Sequence, residues 1–309
     1  MIDHFLRPAS PPSERRALVF GYGATGHACA QALLAEGWKV VGVARSRAWA
    51  DAAREAGVDL LQGDITRPEE ALPVDPSAFH AALVCAATKP TDARRDPWGL
   101  YVEGHSALAA WLEAAHRRAA RPARVLVCGN TSVYGPGSVL ADGTIDESSP
   151  LDPQERARHA AMARIGASGS YTVASEDVWR ASGLPWLILR IPGIVKPGSD
   201  AMERLVARED YQPPPTDRTY QTIRLDALAR VVARLADRGV PGRVYNATPP
   251  RVTSLVRRSR LAAERVGRQL DWPPEAPLDR HALIRARALE ELGIVLTEAD
   301  GEATPAPTS

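Results

Sequence analysis

The sequence has no apolar run long enough to cross a bilayer; the longest are "AALVCAA" (81–87) and "LPWLILRIPGIV" (184–195). Its net charge is only +1, so no basic excess favours nucleic acid. The opening residues, "MIDHFLRPASPPSERR", lack the apolar segment of a signal peptide, and their prolines and charges predict a flexible leader over 1–14. Nucleic acid and membranes are therefore not expected as partners, and a small-molecule substrate is.

Cysteine is also scarce. The chain has three cysteines, Cys29, Cys85 and Cys128, which lie far apart and share no metal-ligand spacing. Cys85 and Cys128 fall in apolar, strand-like runs. We therefore predict three small buried side chains, no metal site, and a reduced protein located in the cytoplasm.

Strand-like and helix-like segments alternate from residue 17 to about residue 195. The predicted strands are 17–20, 39–44, 58–64, 81–87, 124–129 and 185–191, and the predicted helices are 27–37, 47–57, 101–119 and 171–183. Such alternation is typical of a parallel sheet with helices on both faces. The predicted fold is α/β, a Rossmann-type doubly wound parallel sheet over residues 15–195.

The alternation loosens after this point. A Pro-rich loop (211–217) precedes a helix (226–239), a strand (243–247) and a second helix (254–270) that is basic on its outer face. We predict a small C-terminal substrate-side lobe over 196–300, interleaved with the end of the main sheet. The last residues, 301–309, are predicted to be a disordered tail.

The first predicted strand runs directly into a glycine-rich turn, GYGATG (21–26), and a helix follows at once. In this strand–turn–helix context the motif indicates a dinucleotide site, although an ordinary glycine-rich turn is the alternative. Gly21 would allow the tight turn, Gly23 would let the backbone approach the pyrophosphate, and Gly26 would let helix and strand pack closely. Ala24 and Thr25 would lie at the helix end that faces the phosphates.

The second predicted strand ends in "GVARSR" (42–47), where an NAD site would carry an acidic residue. Arg45 and Ser46 instead offer a cation and a hydroxyl, which favours NADP(H) over NAD(H). The alternative is that Arg45 is a solvated surface charge. Asp64 could accept a hydrogen bond from the adenine amino group, and Ala86 and Ala87 would leave room for the cofactor.

Several segments in this order resemble the extended short-chain dehydrogenase/reductase superfamily of sugar epimerases and dehydratases. They are GYGATG, "GD" (63–64), "AA" (86–87), "NTSVYG" (130–135), "DESSPLDP" (146–153), "LPWLILRIPGIVKPG" (184–198) and "VYNAT" (244–248). The resemblance covers roughly residues 16–295 and is greatest to atypical bacterial NAD(P)-dependent epimerase-like proteins, which lack the usual catalytic set. It implies that Pro192, Gly193 and Ile194 lie beside the nicotinamide, and that a homodimer could form through the helices at 101–119 and 171–183.

The resemblance also locates the catalytic positions. Working members carry a Ser or Thr three residues before "VYG", and later a Tyr followed four residues on by a Lys. Here the first position holds Asn130, with the hydroxyls of Thr131 and Ser132 next to it. The Tyr and Lys positions are Ser168 and Thr172 without gaps, or Tyr171 and Ser175 after a shift of three. Neither register supplies a lysine, because the only lysine after residue 90 is Lys196.

Three functions stay open at this point. In the first, the chain is an NAD(P)(H)-binding reductase, epimerase or dehydratase with an altered catalytic site that uses Tyr171, Thr131 or Ser132. Alternatively, it is a non-catalytic NADP(H)-binding sensor or partner-binding protein, in which Tyr171 only packs by its ring. A third possibility is non-redox chemistry on a small molecule.

Overall fold

The computed structural model describes residues 15–72, 74–86, 99–118, 123–135, 138–151, 170–196, 201–217, 219–275 and 283–301. The predicted leader, Ala87, Ser168 and all but the first residue of the predicted tail lie outside these ranges. The chain divides into two compact units. The first comprises Met1–Val133, Arg156–Leu189 and Ala229–Val244, and the second comprises Tyr134–Glu155, Arg190–Leu228 and Tyr245–Ser309.

A seven-stranded sheet forms the centre of the first unit. Its strands are β1 (Arg16–Phe20), β2 (Lys39–Ala44), β3 (Asp59–Gln62), β4 (Ala81–Val84), β5 (Arg124–Asn130), β6 (Trp186–Ile191) and β9 (Arg243–Asn246). They lie in the order β3-β2-β1-β4-β5-β6-β9, and the pairs from β3 to β5 are parallel. β1 and β4 are buried along almost their whole length, as expected for central parallel strands covered on both faces.

Helices follow most of these strands. They are α1 (Ala24–Ala35), α2 (Ala50–Glu55), α3 (Pro68–Ala71), α4 (His105–His116), α5 (Ser170–Ala181), α6 (Ala201–Val206), α7 (Leu225–Arg238), α8 (Leu255–Arg265) and α9 (Arg287–Glu290). A π-helical turn, Gly99–Gly104, leads into α4, and short 3-10 turns cover Pro76–Ala78, Thr131–Val133 and Glu298–Gly301. The core of the first unit includes Phe20, Leu108, Trp179 and Ile188, all fully buried.

The second unit contains a three-stranded sheet in the order β10-β8-β7. Its strands are β7 (Gly193–Val195), β8 (Thr219–Arg224) and β10 (Val252–Ser254). The buried side chain of Gln221 donates to the carbonyl oxygens of Pro249 (2.7 Å) and Ile284 (3.0 Å), which ties two loops to β8. A smaller cluster of buried residues, Val206, Ala262 and Ala263, joins α6 to α8.

The predicted Rossmann-type doubly wound fold is confirmed. The strand predicted over 81–87 ends earlier, at Val84, and the helix predicted over 254–270 ends at Arg265, shortly before Gly267 adopts a positive φ of 72°. The short strands β7, β8 and β10 were not predicted. Among the described residues no helix is long and apolar enough to cross a membrane.

Candidate functional site

The turn between β1 and α1 needs glycine at two positions for steric reasons. Gly21 has a φ of 82°, and a Cβ on it would lie 2.5 Å from the backbone nitrogen of Ala86. A Cβ on Gly26 would lie 2.6 Å from the carbonyl oxygen of Gly21. The backbone N–H of Gly21 donates to the Val43 carbonyl (3.0 Å), which fixes the turn above β2. Side chains at these two positions would therefore push the turn away from the sheet.

Gly23 is different, because a Cβ built there meets no atom within 4 Å. It is the N-cap residue of α1, has extended backbone angles, and provides no side-chain cap. The first N–H groups of α1, from Ala24 onward, are thus offered beside open space at the positive end of the helix dipole. Gly23 has free space where a side chain would stand, whereas Gly21 and Gly26 are packed against neighbouring backbone. This arrangement fits the pyrophosphate of a dinucleotide.

A small aromatic cluster lies beside this turn. Tyr22 is buried against β2, where a Cβ on Gly42 would lie 2.5 Å from its ring. Its hydroxyl lies 3.0 Å from Nδ1 of His27, and the His27 ring lies 5.3 Å from that of Trp49. Burial raises the pKa of Tyr22 to about 12 and lowers that of His27. Sequence reasoning did not anticipate this cluster, in which the tyrosine stays protonated at neutral pH.

Arg45 and Ser46 follow β2 directly and are exposed. The Arg45 carbonyl accepts a hydrogen bond from the Gln62 side chain (3.1 Å), so its backbone is anchored to β3 while its side chain extends outward. Ser46 lines a cleft of about 500 Å³ between α2 and β3 that also contains Arg47 and Arg54. Arg47 and Ser46 thus lie beside Arg45 in the chain and line this cleft, whereas the Arg54 guanidinium is paired with Asp51 (2.6 Å).

The other predicted cofactor residues are more dispersed. Asp64 is half-buried, and its Oδ1 accepts hydrogen bonds from the backbone N–H and the hydroxyl of Thr66, both at 3.0 Å. Ala86 backs the Gly21 turn, as described above. Pro192 follows β6, and Gly193 and Ile194 begin β7, where they pair with β8 in the second unit. The structure therefore brings together the glycine turn and Ala86, with Arg45 and Ser46 at the end of the neighbouring strand.

The predicted hydroxyls follow β5, a strand of the same sheet. Asn130 is the last residue of β5, and its side-chain oxygen accepts a hydrogen bond from the backbone N–H of Ser132 (2.8 Å). This bond forms the turn that carries Thr131, which is half-buried, and Ser132, which is exposed. Because ligands of such sheets bind at the carboxyl ends of the strands, both hydroxyls lie at the expected edge.

Tyr171 lies on α5 and packs against the π-helical turn before α4. Its ring stacks on Tyr101, with ring centroids 4.5 Å apart and an interplanar angle of 21°. The residue is 9% exposed, and burial raises the pKa of its hydroxyl. Cα atoms of α5 and of the Thr131–Val133 turn approach within 8 Å. Tyr171 is therefore a protonated tyrosine whose ring packs on Tyr101, on a helix that approaches the turn carrying Thr131.

Ser175, one helical turn later, contacts a histidine. Its hydroxyl oxygen lies 2.6 Å from Nδ1 of His105, and Nε1 of Trp179 donates to the same nitrogen at 2.9 Å. All three residues are buried. The Nε2 atom of His105 is buried too and has no hydrogen-bond partner in the described part of the chain. If the alignment with the family is shifted by three residues, the lysine position falls on Ser175. That position is occupied here by the hydrogen-bonded pair of Ser175 and His105.

A second face of α5 points toward β5. The buried Glu176 approaches the strand closely, because a Cβ on Gly129 would lie 3.4 Å from its carboxylate oxygen. Thr172 precedes Glu176 by one helical turn, so it lies on the same face and is buried as well. Tyr171, Ser175 and Trp179 occupy the neighbouring face against α4. Thr172, the lysine position of the ungapped register, thus lies on the face nearer β5.

The three cysteines are close in space despite their separation in sequence. Cys29, on α1, is fully buried, whereas Cys85 and Cys128 are half-buried. The Sγ atoms of Cys85 and Cys128 lie 3.2 Å apart, and Cys29 lies near enough to contribute to the raised pKa of the Cys85 thiol. Among the residues that the structure describes, no three His, Cys, Asp or Glu side chains are grouped so that they could hold a metal ion.

Comparisons with known proteins agree with this architecture. The sequence profile of the NAD dependent epimerase/dehydratase family matches residues 17–204. A functionally unknown conserved protein from Silicibacter pomeroyi is 25% identical, with 91% of this chain and 93% of that one covered and a TM-score of 0.63. No curated protein sequence matches the chain.

Two enzymes of known activity share the fold at lower identity. A dTDP-glucose 4,6-dehydratase from Streptomyces venezuelae, with NAD bound, is 18% identical, with coverage of 93% and 94% and a TM-score of 0.68. A UDP-glucose 4-epimerase from Thermotoga maritima is 14% identical, with coverage of 89% and 91% and a TM-score of 0.64. Because the family profile matches residues 17–204, more than half of the 309 residues, the chain belongs to the NAD dependent epimerase/dehydratase family.

Proposed function

We propose that this protein binds NADP(H) at the glycine turn and acts as a slow oxidoreductase or epimerase-like enzyme on a small polar metabolite. The observation that carries the proposal is the contrast within the turn: Gly21 and Gly26 have no room for a side chain, whereas Gly23 faces open space. The open side at Gly23 leaves the first backbone N–H groups of α1 accessible to a phosphate. Membership of the family supports the same assignment.

The preference for NADP(H) rests on the end of β2. Arg45 and Ser46 are exposed there and would hold a 2′-phosphate by a charge-assisted hydrogen bond and a hydroxyl contact. The alternative is NAD(H), which is the cofactor bound in the Streptomyces venezuelae dehydratase. No acidic side chain occupies positions 44–47, where a ribose with free hydroxyls would be recognised.

The chain's own residues would orient the substrate oxygen and supply a proton. Thr131 or Ser132 would donate a hydrogen bond to that oxygen, and Tyr171 would act as the acid. Burial raises the pKa of Tyr171, and the family's lysine is absent, so the hydroxyl stays protonated at neutral pH. The bound nicotinamide would supply or accept a hydride. A protonated tyrosine serves reduction better than oxidation, and turnover would be slow and biased toward reduction.

A second candidate is an NADP(H)-binding protein without turnover. It is favoured by the position of Ser175, whose hydroxyl contacts buried His105 instead of presenting a cation to a ribose. The stacking of Tyr171 on Tyr101 is also what a packing residue would show. In either case the three free cysteines fit a reducing compartment, and we propose a cytoplasmic location.

Cofactor binding is tested by calorimetry with NADPH and with NADH. Wild type is compared with Gly23→Val, which places a branched side chain in the open space, and with Gly183→Val as a matched control. Gly183 is exposed, has no positive φ, and lies in the loop before β6, at the opposite edge of the sheet. We expect Gly23→Val to lose dinucleotide affinity with its melting temperature retained, and Gly183→Val to bind as wild type does.

Turnover is tested next, by screening small carbonyl metabolites and following the nicotinamide absorbance. Tight NADPH binding with a slow reduction of one of them would support the enzyme. Tight binding without turnover would favour the second candidate. If Gly23→Val binds both dinucleotides as tightly as wild type, the glycine turn is not the site.

A homodimer through α4 and α5 stays a prediction. Sedimentation velocity on the purified protein would decide it, because a monomeric mass at micromolar concentration excludes a stable pair.

A further inference from the structure

Cys85 and Cys128 lie side by side: Cys85 directly follows β4, and Cys128 lies within β5, two residues before its end. Val84 of β4 and Val127 of β5 are register partners, so the next residues, the two cysteines, face each other. Their Sγ atoms are 3.2 Å apart, and both residues are partly exposed to solvent. Sequence reasoning missed this pair, because 43 residues separate the two positions.

The backbone geometry suits a covalent bond between them. Neighbouring strands lie about 4.7–4.9 Å apart, and disulfides join residues whose Cα atoms are about 4.4–6.8 Å apart. Closing the pair therefore needs a small approach of the two sulfur atoms, with a small shift of Cys85 toward β5 and the order of the strands unchanged. The thiols already point to the same side of the sheet, as their contact shows.

We infer that Cys85 and Cys128 are an oxidative modification site, which closes to an intramolecular disulfide by exchange with a small-molecule disulfide such as oxidised glutathione. In the first step the thiolate of one cysteine attacks a sulfur of the external disulfide, whose S–S bond breaks and releases one thiolate. In the second step the other cysteine attacks the protein sulfur of the mixed disulfide and releases the second thiolate. Two protein thiols are oxidised, one external disulfide is reduced, and the two protons pass to the released thiolates.

The resting pair should react slowly. The hydrogen bond with Cys128, that with Cys29 and burial together raise the pKa of the Cys85 thiol, which keeps it protonated. Cys29 is an unsuitable first target because it is fully buried. Oxidation of the pair should therefore need hours of exposure to a millimolar concentration of the oxidant.

Closure of the pair would also disturb the glycine turn. Ala86 follows Cys85 directly, and the position of a Cβ on Gly21 is only 2.5 Å from the Ala86 nitrogen and 2.6 Å from the Cys85 carbonyl carbon. With so little slack, a shift of Cys85 toward β5 is transmitted to Gly21. This consequence rests on the proposed dinucleotide function, whereas the disulfide itself does not.

The disulfide is tested on the reduced, folded full chain with excess oxidised glutathione. Peptide mapping without reductant should find Cys85 joined to Cys128, and the intact mass should fall by two hydrogen atoms. Cys29→Ser should form the same disulfide, whereas Cys85→Ser and Cys128→Ser should stop at a mixed disulfide on the remaining thiol. Alanine variants repeat the test if a serine variant melts early. Unreacted thiols after prolonged exposure, or a bond that includes Cys29, would overturn the assignment.

The coupling is tested by calorimetry with NADPH on the reduced and oxidised forms. We expect affinity to fall by about fivefold or more on oxidation. The double variant Cys85→Ser/Cys128→Ser, treated in the same way, should show no change. Equal affinities of the two forms would overturn the coupling. Absence of binding by the reduced protein would instead count against the proposed function and leave the mass result standing.

Discussion

The hydroxyl oxygen of Ser175 lies 2.6 Å from Nδ1 of His105, a nitrogen that also accepts a hydrogen bond from Trp179. An indole N–H can only donate, so Nδ1 carries no proton, and His105 is the neutral imidazole with its proton on Nε2. Burial lowers the pKa of His105 to about 4. The contact between α4 and α5 therefore depends on an uncharged histidine.

The charge state of His105 makes stability depend on pH. Its pKa is lower in the folded protein (about 4) than in the unfolded chain (about 6.5), so the unfolded state binds the proton more readily. The stability that neutral His105 contributes is fully present above pH 6.5. As the pH falls toward 4, the free energy of unfolding decreases by roughly 3 kcal/mol. Urea unfolding at pH 7.5 and at pH 4 would measure it.

The control for this prediction is His105→Gln, whose amide oxygen can still accept from Trp179 but does not titrate. We expect the free energy of unfolding of this variant to be lower than that of wild type at pH 7.5, and the gap between the two proteins to be smaller at pH 4. An identical pH dependence in both proteins would show that the carboxylates, and not His105, govern acid sensitivity.

Tyr171→Phe separates the chemical role of the tyrosine from its packing role. The ring and its stack on Tyr101 remain, and only the hydroxyl is removed. We expect turnover in NADPH-dependent reduction to fall by about 100-fold or more, with little change in melting temperature. Steady-state kinetics on the reduced substrate and thermal unfolding supply the two measurements.

Tyr101→Phe is the matched control, since it removes the hydroxyl from the other ring of the same stack. If Tyr171 acts as the acid, this variant retains most of its turnover once any change in stability is allowed for. Equal turnover in wild type and Tyr171→Phe would make Tyr171 a packing residue.

Arg45→Ala tests cofactor choice. A charge-assisted bond to the 2′-phosphate contributes on the order of 1.5–3 kcal/mol, so NADPH affinity should fall by about tenfold or more. NADH affinity should hardly change. Arg117→Ala removes the same charge from an exposed position at the end of α4 and should affect neither cofactor. Equal losses for both cofactors with Arg45→Ala would remove the NADP assignment.

Gly21 and Gly23 of the turn should respond differently to substitution by alanine. Gly21→Ala forces a Cβ against Ala86 at a positive φ and should lower the free energy of unfolding by at least about 2 kcal/mol. Gly23→Ala meets no atom and should change it by less than about 0.5 kcal/mol. Denaturant unfolding of both variants is the measurement. A similar loss at Gly23 would mean that its open side is filled in the folded protein.

The fold was largely predictable because the main sheet has strong local signals. The apolar run 39–44 coincides with β2, and the GYGATG turn lies where the motif requires it. The second unit was less predictable. β7 and β10 have only three residues each, too few for a period of two to stand out.

The candidate site was predicted only in part, because contacts across the fold leave no trace in sequence spacing. The glycine positions follow from local backbone geometry and could be read from the motif. The pairing of Ser175 with His105 depends on how α5 packs against α4, and that of Cys85 with Cys128 on the order of strands. Tyr171 faces α4, and Thr172 faces β5, because of how α5 packs. The alignment with the family's Tyr and Lys positions could not show this.

The return of Ala229–Val244 to the first unit has a consequence for synthesis on the ribosome. The last strand of the main sheet, β9, begins at Arg243, about fifty residues after β6 ends. At roughly 5–20 residues per second, several seconds pass between the two strands. Throughout that interval the far side of β6 has no partner strand, and its backbone N–H and C=O groups are open to pairing with other chains. The nascent protein is therefore most exposed to aggregation while its second unit is being made.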